Sequence, residues 1–365
     1  MNLDDPAFRD SLKWAFYNPF CTQNEIKRIL NPQTSIDYIL KLRADYIGDD
    51  MRVLRYFMRQ RRKLGKKYAL ASMFSLKHYR DYKMTLPKAD RRALDQVTYG
   101  DIFTSEANGI IFNSPFGRIV TISQSLRYFL QFSHLALLRF DGVPEYVRFQ
   151  ALLIALRVMF QYESLDFDAD PRGIIPPAIL RRLLRLIPAQ LEFIAGHEFA
   201  HHLLGHLSEQ RLQLALSEDT KAVLPHYSLS EQEELDADLC AIMRPQVDDD
   251  RRTIMLNGVL IWLAALELYQ HAVEVIRPSV PWRAKSHPSA RDRHSHLVRN
   301  IETKHVTAVR SISESAMSAV ETFKPVLTEY LGLNIEHFET YGSMYLDAPN
   351  TSWRGPEMTD RVDYW

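Results

Sequence analysis

Cysteine is nearly absent: Cys21 and Cys240 are the two thiols in 365 residues. That excludes a disulfide framework and fits a reducing compartment. Net charge is absent too, with Lys plus Arg at 45 and Asp plus Glu at 45. No global field points toward nucleic acid or an anionic membrane. No apolar run is long enough to span a bilayer. The longest, residues 259–268, is broken by Glu267. The acidic start, Met1-Asn-Leu-Asp-Asp-Pro6, lacks the apolar stretch of a signal peptide. There is no internal repeat and no low-complexity tract. The expectation is a soluble cytoplasmic protein with no membrane partner. Its length suits one large or two ordinary domains.

What is present is mostly helical pattern. Residues 1–100 read as a helical N-terminal extension. Thr34 and Asp37 cap a helix there. Residues 52–68 follow with a basic face around Leu54, Phe57, Met58 and Leu64. Such a face can touch nucleic acid, but a solvated surface is the commoner outcome. Pro87 to Arg92 reads as a linker or turn. Residues 108–112 and 118–122 are rich in β-branched residues and flank Asn113-Ser-Pro-Phe-Gly117, so they predict a hairpin.

Helices are expected over 126–139 and 145–162. The acidic loop 166–173 lacks the full calcium-loop spacing and reads as solvated. Pro176-Pro177 and Pro188 each open a helix. Ser230 with Glu233 forms a capping box for a helix running to Met243. Residues 252–275 form a long apolar helix and 306–331 an amphipathic one. Trp282 to Arg293 is a loop entering a helix. The tail 341–365 is an arm or a disordered end.

The chemistry concentrates in Gly196-His-Glu-Phe-Ala-His-His-Leu-Leu-Gly-His206. Residues four apart on a helix sit about 40° apart around its axis, so His197 and His201 share a face. Glu198 lies about 100° from His197, beside a bound ion rather than on it. Two imidazoles and an adjacent base suit zinc and a reactive water. The plainer reading is a helix with two surface histidines. Leu191, Phe193, Ile194, Phe199, Leu203 and Leu204 argue against it, because they make the helix apolar on most sides.

A zinc site needs a third protein ligand. Glu234 and Asp238 are four apart on one helical face, so Glu234 can complete the triad and Asp238 can orient a ligand histidine. His206 competes for the third place. It stands about 180° round a continuous helix from His197 and converges only if Gly205 breaks that helix. Glu234 is preferred.

These residues resemble the gluzincin metallopeptidases. His197-Glu-Phe-Ala-His201 with Glu234-Leu-Asp-Ala-Asp238 is similar to the CAAX prenyl protease and HtpX group. Residues 108–122 resemble that group's hairpin, and Ser286-His-Pro-Ser289 with Arg293 resembles its His-Pro block. The resemblance spans roughly residues 104–300. It implies an α+β, mainly helical fold with a small sheet beside the metal helix, over a core at 101–300. A helix and extended tail at 301–365 would follow.

The resemblance also implies that His287 faces the reacting carbonyl oxygen and that Arg293 lies at the site. Departures are Pro115-Phe116-Gly117 in place of a glycine pair, Ser289 in place of a second proline, and the missing membrane helices. The soluble form is also similar to the phage-exclusion Lit peptidases of bacteria. The expectation is a zinc-dependent endopeptidase acting on a protein or peptide, with Glu198 as base. Strand 118–122 would be the edge that receives substrate. Two other readings stay open: a nucleic-acid-binding regulator with a peptidase fold, and a zinc-stabilised binding protein without turnover.

Overall fold

The computed structural model describes residues 6–104, 108–163, 177–207, 212–216, 223–227, 229–277, 288–301 and 306–340. The acidic loop 166–173, His287 and the tail 341–365 lie outside the described residues.

Helices dominate. The first hundred residues form α1 (Pro6–Tyr17), α2 (Gln23–Leu30), α3 (Ser35–Asp49), α4 (Met51–Leu64), α5 (Lys77–Thr85) and α6 (Lys88–Ala93). Three strands follow: β1 (Thr98–Tyr99), β2 (Gly109–Ser114) and β3 (Gly117–Ile122). Next come α7 (Leu126–Leu137), α8 (Glu145–Met159), α9 (Pro177–Leu183) and α10 (Ile187–Leu203). Strands β4 (Leu212–Leu216) and β5 (Val223–Tyr227) precede α11 (Glu231–Met243), α12 (Asp249–Ile276), α13 (Ala290–Asn300) and α14 (Val306–Thr340). The architecture is α+β and mainly helical, with one small sheet.

Local chemistry sets many of the boundaries. Thr34 accepts the Asp37 amide at the start of α3. Ser230 and Glu233 form the expected capping box of α11. Pro188 sits in the first turn of α10, where its missing N–H costs nothing. The stretch expected to be a linker at 87–92 is instead helical. Pro87 opens α6, and Arg244 beyond α11 holds the buried Asp90 through Nε at 2.7 Å and Nη2 at 2.8 Å. That tertiary bond is invisible to local sequence.

The sheet has the order β1-β3-β2-β5-β4. Strands β2 and β3 form the expected hairpin, closed at Ser114 and Gly117. Gly117 has a φ of +117°, which glycine adopts without strain. The expectation that 118–122 is a free edge is overturned. Strand β1 lies parallel on it, pairing Thr98 with Ile119 and Tyr99 with Val120. The amides of Gly100 and Ile102 extend that pairing to the carbonyls of Val120 and Ile122. The opposite flank is more open. Strand β2 pairs with β5 at Phe112 and His226, and Gly109–Ile111 has no strand partner on that side among the described residues.

One apolar core runs from Tyr17 through Phe57, Phe193 and Trp262 to Phe338. It draws on all three stretches of the chain. A smaller cluster of Ile39, Ile102, Phe112 and Ile119 seats α3 against the sheet. Helix α12 has the length and apolarity of a membrane span, yet 72% of its most apolar window is buried inside the fold. It packs against α10, α13 and α14, as the central helix of a folded core does.

Candidate metal centre

Helix α10 is enclosed by α5, α11, α12 and the hairpin. Its residues from Gln190 to His201 are all buried. Close packing on one side depends on Gly196. A Cβ there would lie 2.3 Å from Cζ of Tyr82, so the Tyr82 ring of α5 rests directly on the α10 backbone. The Tyr82 hydroxyl then donates to the Ala241 carbonyl of α11 at 3.1 Å. One tyrosine from the first hundred residues therefore bridges the two helices that carry the candidate ligands. On the far side, Phe193 meets Trp262 at 5.8 Å and Gln190 donates to the Gly258 carbonyl at 2.8 Å.

His197, His201 and Glu234 converge into a buried group that could hold a metal ion. The Nε2 atoms of His197 and His201 stand 3.1 Å apart. Glu234 places Oε2 3.2 Å from His197 Nε2 and Oε1 3.6 Å from His201 Nε2. Ligands about 2.0–2.1 Å from a tetrahedral zinc stand about 3.3–3.4 Å from one another. The three separations bracket that value, and two imidazoles with one carboxylate are a zinc-type donor set. The residues fit the ion.

Asp238 sits behind His197. Its Oδ1 accepts from His197 Nδ1 at 2.8 Å. Arg293 clamps the same carboxylate from α13, through Nη2 to Oδ1 at 2.7 Å and Nε to Oδ2 at 2.8 Å. All three side chains are buried. Burial alone would raise the Asp238 pKa, but the guanidinium outweighs it and pulls the group down to about 2. The carboxylate therefore stays ionised and holds the His197 proton on Nδ1, leaving Nε2 directed at the centre. Arg293 in turn lies over Trp262, 5.2 Å from the ring.

The two imidazoles titrate in opposite directions. Burial pushes His197 down, and the carboxylates of Asp238 and Glu234 more than reverse it, so its pKa rises. Burial lowers His201, and the neighbouring charge on His197 lowers it further. The cluster thus favours one positive charge at its centre, a place a metal cation can take from a proton.

Glu198 is 4% exposed and lies under the hairpin. A Cβ on Gly109 would fall 2.7 Å from Glu198 Cγ and 3.0 Å from Oε1. Any larger residue at 109 would displace this carboxylate. Strand β2 therefore crosses directly over Glu198 at Gly109.

His202 turns away from the centre. It accepts from Arg118 Nη1 at 2.8 Å and lies 3.3 Å from the Ala93 carbonyl. His206 does approach the site, because Gly205 ends the helix, but it reaches the outer nitrogen of His201. Arg293 is at the site, as the resemblance implied, while His287 lies outside the described residues. Sequence reasoning missed Tyr82 and Gly109. Gly196 and Gly109 were the available signals, since a glycine inside a helix or strand marks a close approach. No family model matches the chain, no curated protein is significantly similar to it, and no solved structure matches its fold.

Proposed function

We propose that this chain is a soluble, cytoplasmic zinc metallopeptidase of gluzincin type that hydrolyses peptide bonds in a protein or peptide substrate. The observation that carries the reading is the buried convergence of His197, His201 and Glu234, with the buried Glu198 directly following His197 in α10. A structural zinc site has no use for an additional carboxylate beside its ligands. Bound zinc would supply Lewis acidity toward a scissile carbonyl and acidify a water.

The chain's own residues do the rest. Glu198 accepts the proton of the attacking water and delivers it to the leaving amine. Asp238, clamped by Arg293, keeps the His197 proton on Nδ1. The flank of Gly109–Ile111 that has no strand partner among the described residues receives the substrate backbone as an added strand over Glu198. His287 takes the oxyanion-donor role on sequence resemblance alone. The similarity to the phage-exclusion peptidases makes bacterial defence the setting in which to look for substrate.

Glu198→Gln is the direct test. The variant keeps size and helix propensity but cannot take the proton. Metal content and folding should match wild type, while cleavage drops by at least about 100-fold, the usual scale for a general base. Terminal-labelling proteomics on cells expressing either form supplies the substrate. Identical termini in the two would sink the peptidase reading.

A further inference from the structure

Helix α10 does not carry His206 onto the metal face, and how it stops decides what His206 does. Leu204 still has helical dihedrals, and Gly205 then takes a φ of +75°. The Gly205 amide donates to the His202 carbonyl at 3.3 Å, and the His206 amide donates to the His201 carbonyl at 3.0 Å. These two bonds form a Schellman termination, which needs the left-handed conformation that glycine provides. The reversal folds the chain back over the last turn. The ring of His206 comes to rest beside that of His201, with centroids 5.3 Å apart.

The contact is a hydrogen bond between like atoms, Nδ1 to Nδ1 at 3.0 Å. One nitrogen must donate and the other accept. His201 Nε2 is committed to the centre, 3.1 Å from His197 Nε2 and 3.6 Å from Glu234 Oε1. To offer a lone pair there, the His201 ring must be neutral with its proton on Nδ1. That proton points at His206, whose own proton is then left on Nε2. His206 cannot be a ligand in this arrangement, because its facing nitrogen meets the outer side of His201.

We infer that His206 is a positioning residue: it accepts the Nδ1 proton of His201 and holds that imidazole in its metal-binding tautomer and orientation. The inference rests on the metal centre proposed above. It gives each ligand histidine its own acceptor, of two different kinds. His197 has a buried carboxylate locked by an arginine. His201 has a half-buried neutral imidazole set in place by one glycine. A neutral acceptor makes the ligand less electron-rich than a carboxylate does.

The test is zinc affinity, measured by competition with a chromophoric chelator, for wild type, His206→Leu, His206→Asn and His206→Asp. Leucine fills the space without an acceptor. Asparagine puts Oδ1 two bonds from Cβ, where histidine has Nδ1, and aspartate puts a charged acceptor there. The leucine variant should still bind one zinc but about 10–100-fold more weakly, the usual cost of losing such a partner. Asparagine should restore affinity close to wild type, and aspartate should match or exceed it.

Nitrogen-15 spectra of the zinc-loaded wild type should show His206 protonated on Nε2. Equal affinities for the leucine and asparagine variants would overturn the inference, whether both fall or neither does, since packing alone would then explain the contact. A proton on His206 Nδ1 in the zinc form would overturn it as well. Wild type that binds no zinc would remove the metal centre itself, and this inference with it. Zinc bound by wild type and equally by the leucine variant would remove the inference and leave the centre standing.

Discussion

Two helices carry the most distinctive residue patterns in the chain, and the fold treats them in opposite ways. Helix α10 holds the two histidines and the glutamate in the interior, enclosed by three helices and a hairpin. Helix α4 is more densely charged, yet buries Val53 and Phe57 and leaves Arg62 and Lys63 in water. A solvated charge needs nothing further. A buried one needs a partner at hydrogen-bond distance or it destabilises the fold by several kcal/mol. Burial therefore separates a pattern that carries chemistry from one that keeps a surface soluble. In α10 the buried Gln190, Glu192, His197 and His201 are each met by a group from another element, and those meetings build the site.

The comparison can be broken at several points. Glu234→Ala should have the largest effect: it deletes a ligand, so zinc measured by elemental analysis should fall from about one per chain to a small fraction. Full retention would show that His206 or another group is the ligand. Next is Arg293→Met, which strands the Asp238 carboxylate in the core. Urea denaturation should register a loss of about 3–5 kcal/mol, and adding Asp238→Asn should recover part of it. If the single variant is as stable as wild type, the clamp is not what compensates Asp238.

Gly196→Ala should cost about 1–3 kcal/mol, because the new Cβ meets the Tyr82 ring. Tyr82→Ala in the same chain should make the two effects clearly non-additive. Additive effects would mean that α5 does not press on α10. The smallest effect is expected from Arg62→Ser with Lys63→Ser. Stability should change by no more than about 0.5 kcal/mol and zinc content not at all. A gel shift with nucleic acid that this pair abolishes would reverse the lesson drawn from α4.

Much of this was legible in sequence wherever the signal was local. Glu234 and Asp238 could be read together because a spacing of four puts them on one face, and both are buried. Ser230, Thr34 and Pro188 announced helix starts that occur within a residue of expectation. Partnership across the chain was harder to read. Strand β1 is two residues long and gave no strand signal, yet it covers β3, so the open flank among the described residues lies on β2 instead. Tyr82 looked like one more aromatic in a polar helix, because its partners lie more than a hundred residues away. For His206 the breaking glycine was visible, but the direction of the return depends on a dihedral that no composition rule supplies.

The clamp on Asp238 has a consequence in time. Its arginine is supplied 55 residues later in the chain. A ribosome adding about 5–20 residues per second delivers it roughly 3–11 s after the aspartate. Until then the carboxylate cannot be buried as an anion, and His197 lacks the support that aims its nitrogen. The nascent polypeptide therefore carries the histidines and the glutamate of the candidate metal centre in unassembled form until Arg293 has been made. If the proposed peptidase activity holds, that order leaves half-finished copies of the chain unarmed.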